Sequence, residues 1–188
     1  MISEQALPDG RITPVTEINL PVLFQCISDT ITSIDAELKA IANKGVFFAP
    51  ELYLAFEMGK RIKGNESRIF GGVSEWIRET DFGCGGPTDV AFRIYGDTYL
   101  YLELKVKSKR EAYQADIEKL QRLTSSKSIR LFCALSDSFS SEDDGRLDTF
   151  EAANAGKLSH VGHSAFPTED DSYKKQIFCH LRLYEVLI

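Results

Sequence analysis

Asp89 stands fourteen residues ahead of Glu103 in Glu103-Leu104-Lys105, a group that ends a run of alternating apolar residues. Two carboxylates and a lysine on neighbouring strands suit a metal ion and an activated water. Carboxylates are the hard oxygen donors that Mg2+ prefers, and an ammonium is a compact charge that offsets anionic character beside it. The stretch runs Gly85-Gly86-Pro87-Thr88-Asp89 into an apolar-alternating strand ending at Tyr95, then Gly96-Asp97-Thr98, then Tyr99 to Lys107. It reads as a β-hairpin that carries chemistry on one face.

Strand side chains alternate between faces with period two, so the register can be worked out from residue types. Val90, Phe92 and Ile94 share one face of the first strand, and Asp89, Ala91, Arg93 and Tyr95 the other. In the second strand Leu100, Leu102, Leu104 and Val106 oppose Tyr99, Tyr101, Glu103, Lys105 and Lys107. Matching the two apolar faces requires an odd-membered loop, most simply Gly96-Asp97-Thr98, which sets Tyr95 against Tyr99. Asp89 then lies opposite Lys105 and diagonal to Glu103, within side-chain reach. A two-residue Gly96-Asp97 turn would send Asp89 to the wrong face.

The elements that must hold this hairpin are legible from periodicity. Leu23, Ile27, Ile31, Ile34, Leu38 and Ile41 recur at helical spacing and predict a helix from about Leu20 to Asn43, with Gly45 as its stop. Pro50 suits the first turn of a second helix running to about Ile62, before Gly64. Val73 to Thr80 reads as a strand preceding the Gly83–Pro87 loop. A third helix is expected from Lys109 to Thr124, with Tyr113, Ile117, Leu120 and Thr124 on one stripe. Ser128 to Leu135 reads as a buried strand. An acidic loop, a short helix near Leu147–Ala155 and strands near Leu158–Phe166 and Gln176–Leu187 complete the chain.

At 188 residues the chain is read as one domain, with its chemistry-bearing core over about 50–135 and an extension of the sheet over about 136–188. Cys26, Cys84, Cys133 and Cys179 are scattered without metal-ligand spacing, and three lie in apolar runs where a free thiol behaves as a small buried hydrophobe. No secretory segment opens the chain and no apolar run is long enough for a bilayer, so a cytoplasmic protein without membrane contact is expected. The net charge of −6 argues against a general nucleic-acid coat protein. The charge is nevertheless uneven. Lys105 to Arg130 holds eight Lys/Arg against three Asp/Glu, whereas Ser136 to Asp171 holds two against nine. The basic run could meet phosphates and the acidic one a basic protein partner, or both could simply be solvated faces.

The order helix, three strands, helix, strand, with acid-x-lysine on the third strand, resembles the PD-(D/E)XK nuclease superfamily. The residues that carry it are Pro87-Thr88-Asp89, Glu103-Leu104-Lys105 and an upstream glutamate, Glu51, over roughly Pro50 to Leu135. The resemblance implies an α/β, restriction-endonuclease-like three-layer core with a central mixed β-sheet flanked by helices. It implies a Mg2+-dependent nuclease acting on DNA, with Mn2+ as a substitute ion. Asp89, Glu103 and the Leu104 carbonyl would hold the metal, Glu51 would complete its shell, and Lys105 would orient the water. Gln114 is a further candidate, for the outer shell or a phosphate contact, while Glu57 falls on a different face from Glu51. A homodimer is a common working form of such enzymes. The other reading is a catalytically silent module that keeps the fold and binds nucleic acid or a protein partner.

Other patterns carry less. The Gly-rich loop before Asp89 lacks the Lys-Ser/Thr and helix start of a P-loop. Ser140 to Glu151 imitates a calcium loop but begins with serine and follows a strand-like run. His160 and His163 are read as ordinary surface or half-buried residues, and Trp76 as core.

Overall fold

The structure, a computed structural model, describes residues 4–6, 12–14, 18–96, 98–123, 127–142 and 144–188. Strands β1 (Glu4–Ala6) and β2 (Ile12–Pro14) form a separate antiparallel ribbon. Helix α1 (Leu20–Ala42) starts where Asn19 accepts the Val22 N–H at 3.2 Å, and Pro21 occupies the first turn, where its missing donor costs nothing. Leu23, Ile27, Ile31 and Ile34 are buried, but the stripe runs out at Ile41, which is exposed. Asn43, not Gly45, ends the helix in a left-handed conformation (φ 57°). Gly45 answers to a different constraint: a β-carbon there would run into Thr168 and the Glu169 backbone.

Helix α2 (Glu51–Gly64) begins directly after Pro50, and a short α3 (Glu66–Phe70) follows it. Strands β3 (Glu75–Asp81), β4 (Pro87–Tyr95) and β5 (Thr98–Val106) form an antiparallel meander. Helix α4 (Arg110–Gln121) leads to β6 (Ile129–Ser138), helix α5 (Gly145–Ala153), β7 (Leu158–Thr168) and β8 (Ile177–Val186). Thr124, expected to end the fourth of these helices, lies outside the described residues.

The sheet has six strands in the order β3-β4-β5-β6-β8-β7, antiparallel throughout except for β5 and β6. Parallel neighbours need a crossover, and α4 supplies it. Helices cover both faces, which makes the fold α/β with a flanked mixed sheet. Leu23, Ile27, Leu54, Met58, Val90, Phe92, Leu102 and Leu104 belong to the apolar cluster beneath α1 and α2. Tyr113, Ile117, Leu120, Ala91, Tyr101, Phe132 and Phe150 belong to the one beneath α4 and α5. The faces assigned to the hairpin from sequence are the faces observed from Val90 to Ile94 and from Leu100 to Leu104. Tyr95, assigned to the Asp89 face, packs instead against the cluster beneath α1 and α2, its hydroxyl donating to the Phe70 carbonyl at 2.9 Å. All four cysteines are free and buried. Trp76 packs on the core side, stacked on Phe92 at 6.2 Å. Among the described residues no helix is long and apolar enough to cross a membrane.

The hairpin register differs from the expected one. Tyr95 pairs with Thr98, so Thr98 belongs to the strand and not to the loop; Asp97 lies outside the described residues. A close turn of this kind would put the apolar faces out of step. A bulge between Arg93 and Tyr95 adds one residue and restores the match, so that Arg93 pairs with Tyr99 and Val90 with Leu102. The paired stretch ends at Val90 and Leu102, and beyond it the Leu104 N–H turns to the Asp89 carboxylate, so Asp89 is not paired with Lys105. The parity reasoning held, but the odd residue sits in the strand.

Candidate active site

β5 contributes Glu103 and Lys105 to the face covered by α4, and β4 brings Asp89 alongside them. Asp89 Oδ2 accepts the Leu104 backbone N–H at 2.8 Å, which fixes the carboxylate against the next strand. Glu51 enters from the first turn of α2, where an acidic side chain is favoured by the helix dipole. Its two oxygens divide their work. Oε1 accepts from Lys105 Nζ at 3.1 Å, and Oε2 accepts the Val106 N–H at 3.0 Å, close to the end of β5. The structure thus brings together Glu51, Asp89, Glu103, Leu104 and Lys105 from a helix and two strands.

Two residues not anticipated from sequence complete the cluster, both from α4. Asp116 Oδ2 lies 3.3 Å from Lys105 Nζ, and Lys119 Nζ lies 2.7 Å from Glu103 Oε1. Lys119 also donates to the Pro87 carbonyl at 2.5 Å, two residues before Asp89. A strand presents residues two apart on one face, and a helix presents residues three apart. Glu103 and Lys105 are therefore met by Lys119 and Asp116 as two opposed ion pairs. The signal available in the sequence was the position of both charges one residue ahead of the buried Ile117 and Leu120. Gln114 takes no part: its amide donates to Glu118 at 3.2 Å on the exposed side of α4. Glu57 pairs with Lys60 at 2.5 Å.

The electrostatics are those of crowded, dry carboxylates. Only 3% of the Glu103 side chain is exposed. Burial first, and then the charge of Asp89, push its carboxyl up to about 7 against the pull of Lys119. Asp89 is raised by burial, and Glu51 adds to this while the Leu104 N–H opposes it. Asp116 is raised by burial despite Lys105. Burial works to lower Lys105, but Asp116 and Glu51 outweigh it, so its ammonium titrates above the ordinary lysine value and stays charged at neutral pH. Among the described residues no group of three or more His, Cys, Asp or Glu side chains is gathered as ligands about one point. One or two carboxylates with waters are, however, the usual protein share of a Mg2+ shell, and Asp89 with Glu103 fits that smaller donor set.

A second charged cluster lies at the C-terminal end of the same strand. Lys107 follows β5 with φ 43°, its N–H bonded to Leu135 O at 2.8 Å. Its ammonium reaches Asp170 at 2.6 Å and Asp137 at 3.1 Å. Asp137 also accepts from Tyr173 at 2.6 Å and from Arg146 at 2.5 Å. Burial works against the Asp137 carboxylate, but Tyr173, Arg146 and Lys107 together hold it down at about 2. A cavity of about 440 Å³ opens here, lined by Phe139, Arg146, Tyr173 and Ile177 among others, beside this cluster and not over Asp89 and Glu103. In the segment that imitates a calcium loop, Asp144 is taken up by protein donors: it caps α5 through the Arg146 N–H and accepts from Ser136. His163 stacks on the buried His180, one ring nitrogen to another at 3.1 Å.

No protein-family model, no curated protein and no solved structure matches this chain.

Proposed function

We propose that the chain is a metal-dependent nuclease that hydrolyses phosphodiester bonds in DNA, built as the PD-(D/E)XK resemblance implies. The observation that carries this reading is the meeting of Asp89, Glu103 and Lys105 on one face of β4 and β5, with Glu51 locking Lys105 from α2. The succession α2, β3–β4–β5 meander, α4 crossover and β6 parallel to β5 supports the same reading.

Each side chain has a definable part. Asp89, Glu103 and the Leu104 carbonyl would hold Mg2+, or Mn2+ in its place, with Glu51 beside them. A bound ion of this kind supplies an acidified water and charge relief on the scissile phosphate. Lys105 is cationic at neutral pH and so is no base; it orients the water and faces the charge that develops on the phosphoryl oxygens. Glu51 holds that ammonium in place and ties it to the Val106 N–H, so it acts through Lys105 and the end of β5. In the reaction a water oxygen bonds to phosphorus as the phosphorus–oxygen bond to the leaving sugar breaks; the proton of the attacking water passes to solvent, and the departing sugar oxygen takes one from solvent.

The competing reading, a silent module that binds nucleic acid or a protein, draws on one observation: Lys105 is already held by two carboxylates, Glu51 and Asp116. Plasmid cleavage with Mg2+ or Mn2+ separates the two. Asp89→Ala and Lys105→Ala each lower the rate at least about a hundredfold if the site is catalytic. Equal rates in all three proteins would remove the catalytic assignment.

A further inference from the structure

Lys105 and Lys119 stand among four carboxylates, and the contacts divide them unequally. Lys105 is committed to Glu51 at 3.1 Å and Asp116 at 3.3 Å. That leaves Lys119 as the ammonium in contact with Glu103, 2.7 Å from its Oε1. The Lys119 side chain is itself mostly buried, with 15% exposed. Its approach to Glu103 Oε1 is an ion pair off the line of a full hydrogen bond, since that oxygen has no aligned donor. Its aligned bond goes to the Pro87 carbonyl instead, at 2.5 Å. Lys119 therefore has a second partner besides Glu103.

We propose that Lys119 is an internal counter-cation for Glu103, and that a divalent ion reaches this carboxylate by exchange with the Lys119 ammonium. The proposal rests on the nuclease reading, because it takes Asp89 and Glu103 as the ion's ligands. The physical reason is direct. An ammonium 2.7 Å from Oε1 repels a second cation at close range. A doubly charged ion placed between two carboxylates gains more than a singly charged one placed beside a single carboxylate. The ion displaces the ammonium, which stays on Pro87 O. Lys119 is in this sense a positioning residue that holds Glu103 ready and sets the concentration of ion needed to load the site.

A merely supporting lysine predicts the opposite sign, which makes the test decisive. Mn2+ binding to the intact chain is followed by electron paramagnetic resonance of the free ion. Lys119→Met keeps the length of the side chain and removes its charge, and it binds Mn2+ at least about tenfold more tightly than wild type. Equal or weaker binding would overturn the exchange. If circular dichroism shows that the methionine variant does not fold, the wild-type protein gives the answer through reductive methylation and peptide mapping. Lys119 labelling then rises when Mn2+ saturates the protein, and unchanged labelling overturns the proposal. A wild-type chain that binds no Mn2+ would remove the nuclease reading together with the exchange. Binding by wild type with no gain in Lys119→Met would remove the exchange alone.

Discussion

Asp137 is the hub on which the end of β5 depends, and its neutralisation by Asp137→Asn is a quantitative test of the electrostatics. Its side chain is 3% exposed and in contact with Lys107, Arg146 and Tyr173. Holding the carboxyl at about 2 instead of its ordinary 3.8 is worth about 2 kcal/mol, at about 1.4 kcal/mol per pH unit. The folded-state value is depressed, so this stabilisation is fully present above the unfolded value near 3.8 and disappears as pH falls through about 2. Urea unfolding should therefore show Asp137→Asn less stable than wild type by about 2 kcal/mol at pH 7 and by the same amount at pH 5. At pH 3 the difference should fall to about half. The near-isosteric amide can still accept from Tyr173, so the loss reads the charge rather than the shape. A difference below about 0.5 kcal/mol at pH 7, or one that is unchanged at pH 3, would refute the account of this cluster. The loss should also reach Lys107, whose left-handed backbone directly follows the strand that carries Lys105.

Two further outcomes follow from the geometry. Carboxyl-carbon NMR without added metal should give a Glu103 midpoint near 7; because burial and Asp89 raise it, Asp89→Asn should move it down, and a wild-type midpoint near the ordinary 4.5 would contradict the packing described. Gly45→Ala forces its new β-carbon against Thr168 and the Glu169 backbone, and urea unfolding should show a loss of about 1–3 kcal/mol; an unchanged midpoint would mean that the loop yields freely.

Residue order made some of this architecture legible and hid the rest for identifiable reasons. The faces of β4 and β5 were readable because alternation is a property of the strand itself: Leu100, Leu102 and Leu104 face one way wherever the strand is placed. The charges on α4 were not readable in the same way. Ile117 and Leu120 mark the buried stripe, but a stripe has two flanks. Asp116 lies on one flank and turns to Lys105, whereas Glu118 lies on the other, exposed, and bonds Gln114. Which flank meets the acidic end of β5 depends on how the helix crosses the sheet, and that is set by tertiary packing. Gln114 was chosen from residue type and position alone and falls on the wrong flank. Gly45 shows the same limit, since its constraint comes from Thr168, far along the chain.

The bulge in β4 shows why the cluster could be foreseen while its details could not. Burying two apolar strand faces against α1 and α2 fixes only the parity of the pairing: the number of residues between matched positions must come out odd or even. Parity is satisfied equally by a three-residue loop and by a tighter turn plus one bulged residue. Both place Asp89, Glu103 and Lys105 on one side of the sheet, but they differ in which residue faces which. In the bulged arrangement the Asp89 carboxylate takes the Leu104 N–H, and its charge acts on Glu103 in a dry site. Burial, and then the charge of Asp89, raise Glu103, and Lys119 is the cation that meets it. In the looped arrangement Asp89 would have faced Lys105, a neutral pairing with little call on a second cation. The frame in which Asp89 acts on Glu103 thus depends on a single extra residue between Arg93 and Tyr95.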